Sequence, residues 1–112
     1  LYSPEGINRV DKNGCTILMK YMFIAKPIDI KALIHLTCLD GIAINARTDK
    51  GANALIIAAS VNAAYEVYHV LIVVGCDVHV QTDLNENILD VLVKRLPKGK
   101  QVDPRTLKII LD

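Results

Sequence analysis

The chain has 112 residues, of which 52% are hydrophobic but only 4% aromatic, with a net charge of +1 and three cysteines. That length holds one domain with one modest core, the near-neutral charge gives no overall field toward nucleic acid, and no apolar run approaches the ~20 residues that cross a bilayer. The odd, widely spaced Cys15, Cys38 and Cys76 form neither a disulfide framework nor a CxxC zinc site, and they fit a reducing, intracellular, cytoplasmic setting.

With so few aromatics the core must come from Leu, Ile, Val and Ala, which suits thin stacked layers. The chain opens on Leu1 with no secretory signal, so a longer or processed polypeptide is expected. Residues 1–10 read as the end of a preceding unit, in which Glu5-Gly6-Ile7-Asn8-Arg9-Val10 forms a short extended arm. The polar turn Asp11-Lys12-Asn13-Gly14 follows, and then a helix from Thr16 to Phe23. Ile30, Leu33 and Ile34 begin a second helix, and His35 to Asp40 either lengthen it or form a small bulge.

A second arm runs from Gly41 to Arg47, and Thr48-Asp49-Lys50-Gly51 supplies another turn. Asn53 is placed as an N-cap for a helix through Ser60, with its side-chain oxygen accepting from a free N–H. Ala58 and Ala59 leave room for a neighbouring helix. Val67, Val70, Leu71 and Val74 fall on one apolar helical face, and Gly75 stops that helix. The pattern then starts again with the arm Gly75 to Gln81, the turn Thr82-Asp83-Leu84-Asn85 and a helix from Asn87 to Arg95. A loop from Leu96 to Val102 interrupts it. Asp103-Pro104 restarts a helix with Leu107 to Leu111, which ends at Asp112 without a capping glycine.

An arm, a turn and two short helices thus recur at roughly 33–37 residues, a period characteristic of solenoid arrays. Asp49-Lys50-Gly51, Ala54-Leu55, Ala58-Ala59, Asn62, Glu66-Val67, Leu71-Ile72 and Gly75-Cys76-Asp77-Val78 resemble the ankyrin repeat. The first unit shares Asp11, Gly14, Thr16, Leu18 and Ile44-Asn45-Ala46 with that pattern, and the third shares Leu89 and Leu107 to Leu111. The resemblance implies a mainly α fold, an ankyrin-repeat solenoid of stacked helix-turn-helix units joined by β-hairpin-like turns. One domain would span 1–112, with repeats at 11–47 and 48–81 and a divergent or incomplete repeat at 82–112. No unit keeps the family's Pro or His in the opening of its first helix. Caps by Thr16, Asn53 and Asn87 are expected to replace part of that hydrogen bonding.

Chemistry-bearing clusters are sparse. Cys15 lies beside a glycine turn, and His35, His69 and His79 are scattered without metal-ligand spacing. There is no GxGxxG and no GxxxxGK[ST], so no phosphate cradle is legible. No catalytic, cofactor or metal role is therefore expected. Lys94, Arg95, Lys98, Lys100, Arg105 and Lys108 read as a solvated loop region, since stacking aromatics are missing from this stretch. No nucleic-acid partner and no membrane insertion are expected.

Surface recognition remains, and the resemblance implies where it would occur. Ankyrin-like partners dock on turn tips and on the exposed side of the first helices. The corresponding tips are Lys12 and Asn13; Arg47, Asp49 and Lys50; and Gln81, Asp83 and Leu84. The helix positions are Lys20, Phe23, Ser60, Asn62 and Lys94, with Phe23 as an aromatic anchor. The expected function is a protein–protein interaction module of a larger intracellular protein. The alternative is a structural segment packing against its own chain, within an enzyme or channel whose chemistry lies elsewhere. Uncapped ends predict marginal stability or self-association.

Overall fold

Three polar side chains start three helices in the same way. Thr16 accepts from the Met19 amide at 3.4 Å, Asn53 from Ile56 at 3.1 Å and Asn87 from Asp90 at 2.9 Å. Each relieves one of the four unpaired amides of a helix start. In a computed structural model that describes residues 4–111, these caps open α2 (Ile17–Ile24), α4 (Ala54–Ser60) and α6 (Ile88–Arg95). The other helices are α1 (Pro4–Ile7), α3 (Ile30–Thr37), α5 (Tyr65–Val73) and α7 (Pro104–Leu111). The fold is mainly α, with no strand among the described residues. What was expected of residues 1–3 and of the chain end at Asp112 lies outside them.

The helices form two rows. α2, α4 and α6 adjoin in order, as do α3, α5 and α7 beside them, and α2–α3 and α4–α5 pair across the rows. The third unit differs, because α6 packs chiefly on α4 and α7 chiefly on α5. α4 sits in the middle, and Ala54 to Ala59 are all buried. Ala58 and Ala59 are fully enclosed, so the small side chains permit close approach on two sides at once. Leu18, Met19, Met22, Leu33, Val67, Leu71, Val91 and Leu92 complete an aliphatic core. Tyr68 is its one large aromatic, and its hydroxyl donates to the Ala58 carbonyl at 3.2 Å.

Arm asparagines tie successive units together. Asn8 donates to the Gly41 carbonyl and accepts from the Ala43 amide, both at 2.7 Å. Asn45 repeats this 37 positions later in the sequence, donating to Gly75 at 3.2 Å and accepting from Asp77 at 2.8 Å. Asn53, fully buried, adds a bond from its amide to the Asp77 carbonyl at 2.8 Å.

Three expectations need correction. The first arm begins as a short helix, α1, where an extended segment was expected. Of the two alternatives for His35 to Asp40 the lengthened helix falls, since α3 is no longer than α5; the extra residues enter the connector before it and an irregular turn at Cys38–Asp40 after it. The turns are not regular β-hairpins: one backbone bond closes each across its two arms, with no further rung, and no strand flanks them among the described residues.

Candidate interaction surface

The three turns share one construction. In each, the first residue closes the turn through its backbone: Asp11 amide to Cys15 carbonyl at 3.1 Å, Thr48 to Ala52 at 2.8 Å and Thr82 to Glu86 at 2.9 Å. Its side-chain oxygen then collects the amides two and four residues on. Asp11 accepts from Asn13 at 2.8 Å and Cys15 at 3.0 Å. Thr48 accepts from Lys50 and Ala52, and Thr82 from Leu84 and Glu86. Gly14 and Gly51 take φ of 79° and 84° at the fourth position, and Asn85 stands there in the third turn with φ of 60°. Asn tolerates this left-handed region better than other side chains.

Backbone bonds join the turns into a row. The Asp49 amide donates to the Asn13 carbonyl at 3.1 Å, and the Asp83 amide donates to the Lys50 carbonyl at 2.9 Å. Lys12, Asn13, Asp49, Lys50, Asp83 and Leu84 are all exposed along it. Their side chains hydrogen-bond to no described residue. Leu84 is 76% exposed, an apolar side chain among charges.

Arg47, also expected as a contact residue, is engaged within the fold, while Gln81 contributes only its backbone carbonyl and its exposed side chain hydrogen-bonds to no described residue. The Arg47 guanidinium donates to the Gly51 carbonyl at 3.0 Å and to the Gln81 carbonyl in the next unit. Arg47 therefore holds two turns together. The sequence offered no signal for this, since Gln81 lies 34 positions away.

The helix-one residues do not join the tip row. Phe23 is 46% exposed and lines a groove with Met22, Pro27, Val61 and Asn62 between two helix connectors. This groove lies at the opposite end of the helices from the turns. Asn62 has φ of 53° and its amide donates to the Ala59 carbonyl, so it terminates α4. The Ser60 hydroxyl donates to the Ile57 carbonyl of its own helix at 2.7 Å. Lys20 lies 3.9 Å from Asp11, and Lys94 lies 3.3 Å from Glu86. The thirteen expected residues thus separate into an exposed row of tips that includes Gln81, one residue, Arg47, whose side chain holds the stack, and a scattered set on the helices.

Electrostatics at the row are local. Backbone amides of Cys15 and Asn13, with the cations Lys20 and Lys12, hold the Asp11 carboxyl below the usual aspartate range. Partial burial, and then the nearby Asp11, push the Cys15 thiol up, which opposes thiolate chemistry. Burial pushes Cys76 up to about 11. All three cysteines are free. Among the described residues no group of three or more His, Cys, Asp or Glu is arranged to hold a metal, and no helix is long and apolar enough to cross a membrane. The chain matches no protein-family model and is significantly similar to no curated protein.

Proposed function

We propose that this chain is an ankyrin-type repeat array that binds a protein partner through its row of turn tips. The observation that carries this reading is the division of labour within the turns. Backbone groups, Asp11, Thr48, Thr82 and Arg47 hold the row, leaving the side chains of Lys12, Asn13, Asp49, Lys50, Asp83 and Leu84 exposed on it. A pre-ordered backbone lowers the ordering cost of binding, and unengaged side chains have their polar groups available to a partner. The mixed charges choose a partner more by complementarity than by net field, and Leu84 offers an apolar contact. The free cysteines support a reducing intracellular setting.

The test compares two surfaces on one fold. A tip variant, Asp49→Lys with Lys50→Glu and Leu84→Asp, keeps the backbone bonds of the row. A connector variant, Phe23→Ala, alters the other exposed region. Proteins captured from cell extract by the parent chain are identified and the strongest is purified and titrated against all three. Binding should be lost in the tip variant and kept in the connector variant, at matched melting temperatures. Equal binding by the tip variant would remove the turns from consideration.

A further inference from the structure

The exposed residues at the second and third positions of the turns form one line across the units. A backbone bond at 3.1 Å joins Asn13 to Asp49, and another at 2.9 Å joins Lys50 to Asp83. Peptide bonds link the other neighbours, so the line reads Lys12, Asn13, Asp49, Lys50, Asp83, Leu84. Its charges alternate as cation, anion, cation, anion, with an amide in the first gap and an apolar residue at the end. Among the described residues, no ion pair and no side-chain hydrogen bond engages Lys12, Asp49, Lys50 or Asp83. The Asp11 carboxylate beside Lys12 is already taken up by the Asn13 and Cys15 amides. Arg47, near Asp83, is taken up by the Gly51 and Gln81 carbonyls. The two row carboxylates also have defined places. Asp49 Oδ1 lies against Gly14 and Asp83 Oδ1 against Gly51, 2.8 and 3.0 Å from where a β-carbon on each glycine would stand. Each carboxylate therefore rests over the seam between two turns, where the glycine makes room for it.

We infer that the row takes an extended protein segment whose side chains run acidic, polar, basic, acidic, basic and then apolar from the Lys12 end to the Leu84 end. This segment is the partner in the tip-binding reading, on which the inference rests. Balanced charge disfavours other occupants. Lys12 and Lys50 offset Asp49 and Asp83, so a phosphate backbone or a polybasic tail meets as much repulsion as attraction. A segment of alternating sign meets attraction throughout. Alternation also sets direction. The same segment laid in reverse sets acid against Asp49 and base against Lys50, and it moves its apolar residue away from Leu84. Spacing follows from the row itself. Cα atoms joined through a peptide bond are about 3.8 Å apart, and those facing across a hydrogen-bonded junction are roughly 5 Å apart. An extended chain rises about 3.3 Å per residue, so the partner needs about one more residue at each junction. The matching sequence is Glu-Ser-Gly-Lys-Glu-Gly-Lys-Leu.

That peptide, with both ends blocked to remove terminal charge, is titrated into the 112-residue chain and followed by NMR. Shifts should be confined to the amides of the row and its turns, and added salt should weaken binding. The charge-reversed peptide, Lys-Ser-Gly-Glu-Lys-Gly-Glu-Leu, should bind about tenfold more weakly, since every pair along the row turns repulsive. The all-acidic peptide, Glu-Ser-Gly-Glu-Glu-Gly-Glu-Leu, should also bind more weakly. A charge exchange in the protein completes the test. Asp49→Lys with Lys50→Glu, shown to be folded by circular-dichroism melting, should prefer Glu-Ser-Gly-Glu-Lys-Gly-Lys-Leu over the original peptide. No shift of the row with any peptide would overturn the proposal. So would equal binding of the peptides by the parent chain, or an exchanged variant that keeps the parent's preference. Any of these results, beside a captured protein that the tip variant no longer binds, removes the alternating segment and leaves the tip-binding reading in place.

Discussion

The buried amide of Asn53 donates to the carbonyl of Asp77 at 2.8 Å, while its oxygen caps α4 through the Ile56 amide at 3.1 Å. One side chain therefore starts a helix and fastens the arm that follows the unit's second helix. Asn53→Ala removes both bonds, worth about 1 kcal/mol each. The expected loss is about 2 kcal/mol, on the order of 10 °C in melting temperature for a domain this size. Asn87→Ala removes a cap alone, since the Asn87 side chain reaches no second unit. Its expected cost is about 1 kcal/mol. Equal costs in paired melts would show that the Asp77 bond contributes nothing.

Gly14 and Gly99 share nearly the same φ, 79° and 82°, in opposite surroundings. A β-carbon on Gly14 would stand 2.8 Å from the Asp49 amide nitrogen, whereas one on Gly99 meets nothing within 4 Å. Gly99→Ala therefore measures the left-handed strain alone, roughly 1–2 kcal/mol. Gly14→Ala adds crowding between two turns and should cost about 1–3 kcal/mol more. The amide exchange of Asp49 should also accelerate in that variant, because the bond to Asn13 is forced apart. Chemical denaturation of both variants, with exchange measured on the first, checks the pair.

Local signals were legible and long-range ones were not. Thr16, Asn53 and Asn87 could be read as caps because a cap and its amide lie three residues apart. Gly75 could be read as a helix stop because it follows an apolar face. The tip residues could be placed because each turn carries its own polar composition. The structural part of Arg47 is not legible for the converse reason: its chemistry as a cation is written in the sequence, but the Gln81 carbonyl it bonds lies 34 positions away. Asn62 and Ser60 read as outward polar residues, yet one adopts a left-handed backbone and the other bonds its own helix. α1 escaped because its four residues carry too little periodicity to announce a helix.

Arg47 separates structure from recognition along the tip row. Its guanidinium holds the Gly51 and Gln81 carbonyls, while Asp49 and Lys50 act in the row only through backbone groups. Arg47→Ala is expected to cost about 1 kcal/mol, below the usual worth of charge-assisted bonds because the side chain is exposed. Asp49→Ala and Lys50→Ala should each stay within about 0.5 kcal/mol of the parent. Reversing all three together, as the sequence invites, would lower stability along with binding. Separate melts and binding titrations of the three single variants check this. A neutral Arg47→Ala would return Arg47 to the set of free contact residues.

The side chain that gathers the amides of the first turn should respond to acid, while its counterpart in the second does not. Asp11 gathers the Asn13 and Cys15 amides through a carboxylate, whereas Thr48 gathers Lys50 and Ala52 through a hydroxyl that does not titrate in this range. The amides of Cys15 and Asn13, with nearby Lys20 and Lys12, depress the folded-state pKa of Asp11. A depressed acid contributes its full stability above its unfolded value and loses it as pH falls through the folded one. Stability should thus decline on acidification below the usual aspartate range. Asp103, held down by its bonds to Arg105, adds to that decline. In NMR titrations the Asn13 and Cys15 amide shifts should move with a midpoint below that range, and that of Ala52, gathered by the Thr48 hydroxyl, should not follow them. Asp11→Thr converts the first turn to the chemistry of the other two. It should flatten the Asn13 and Cys15 response and make the acid dependence shallower, and Asp103→Asn should make it shallower again. An unchanged acid slope in Asp11→Thr would place the sensitivity elsewhere.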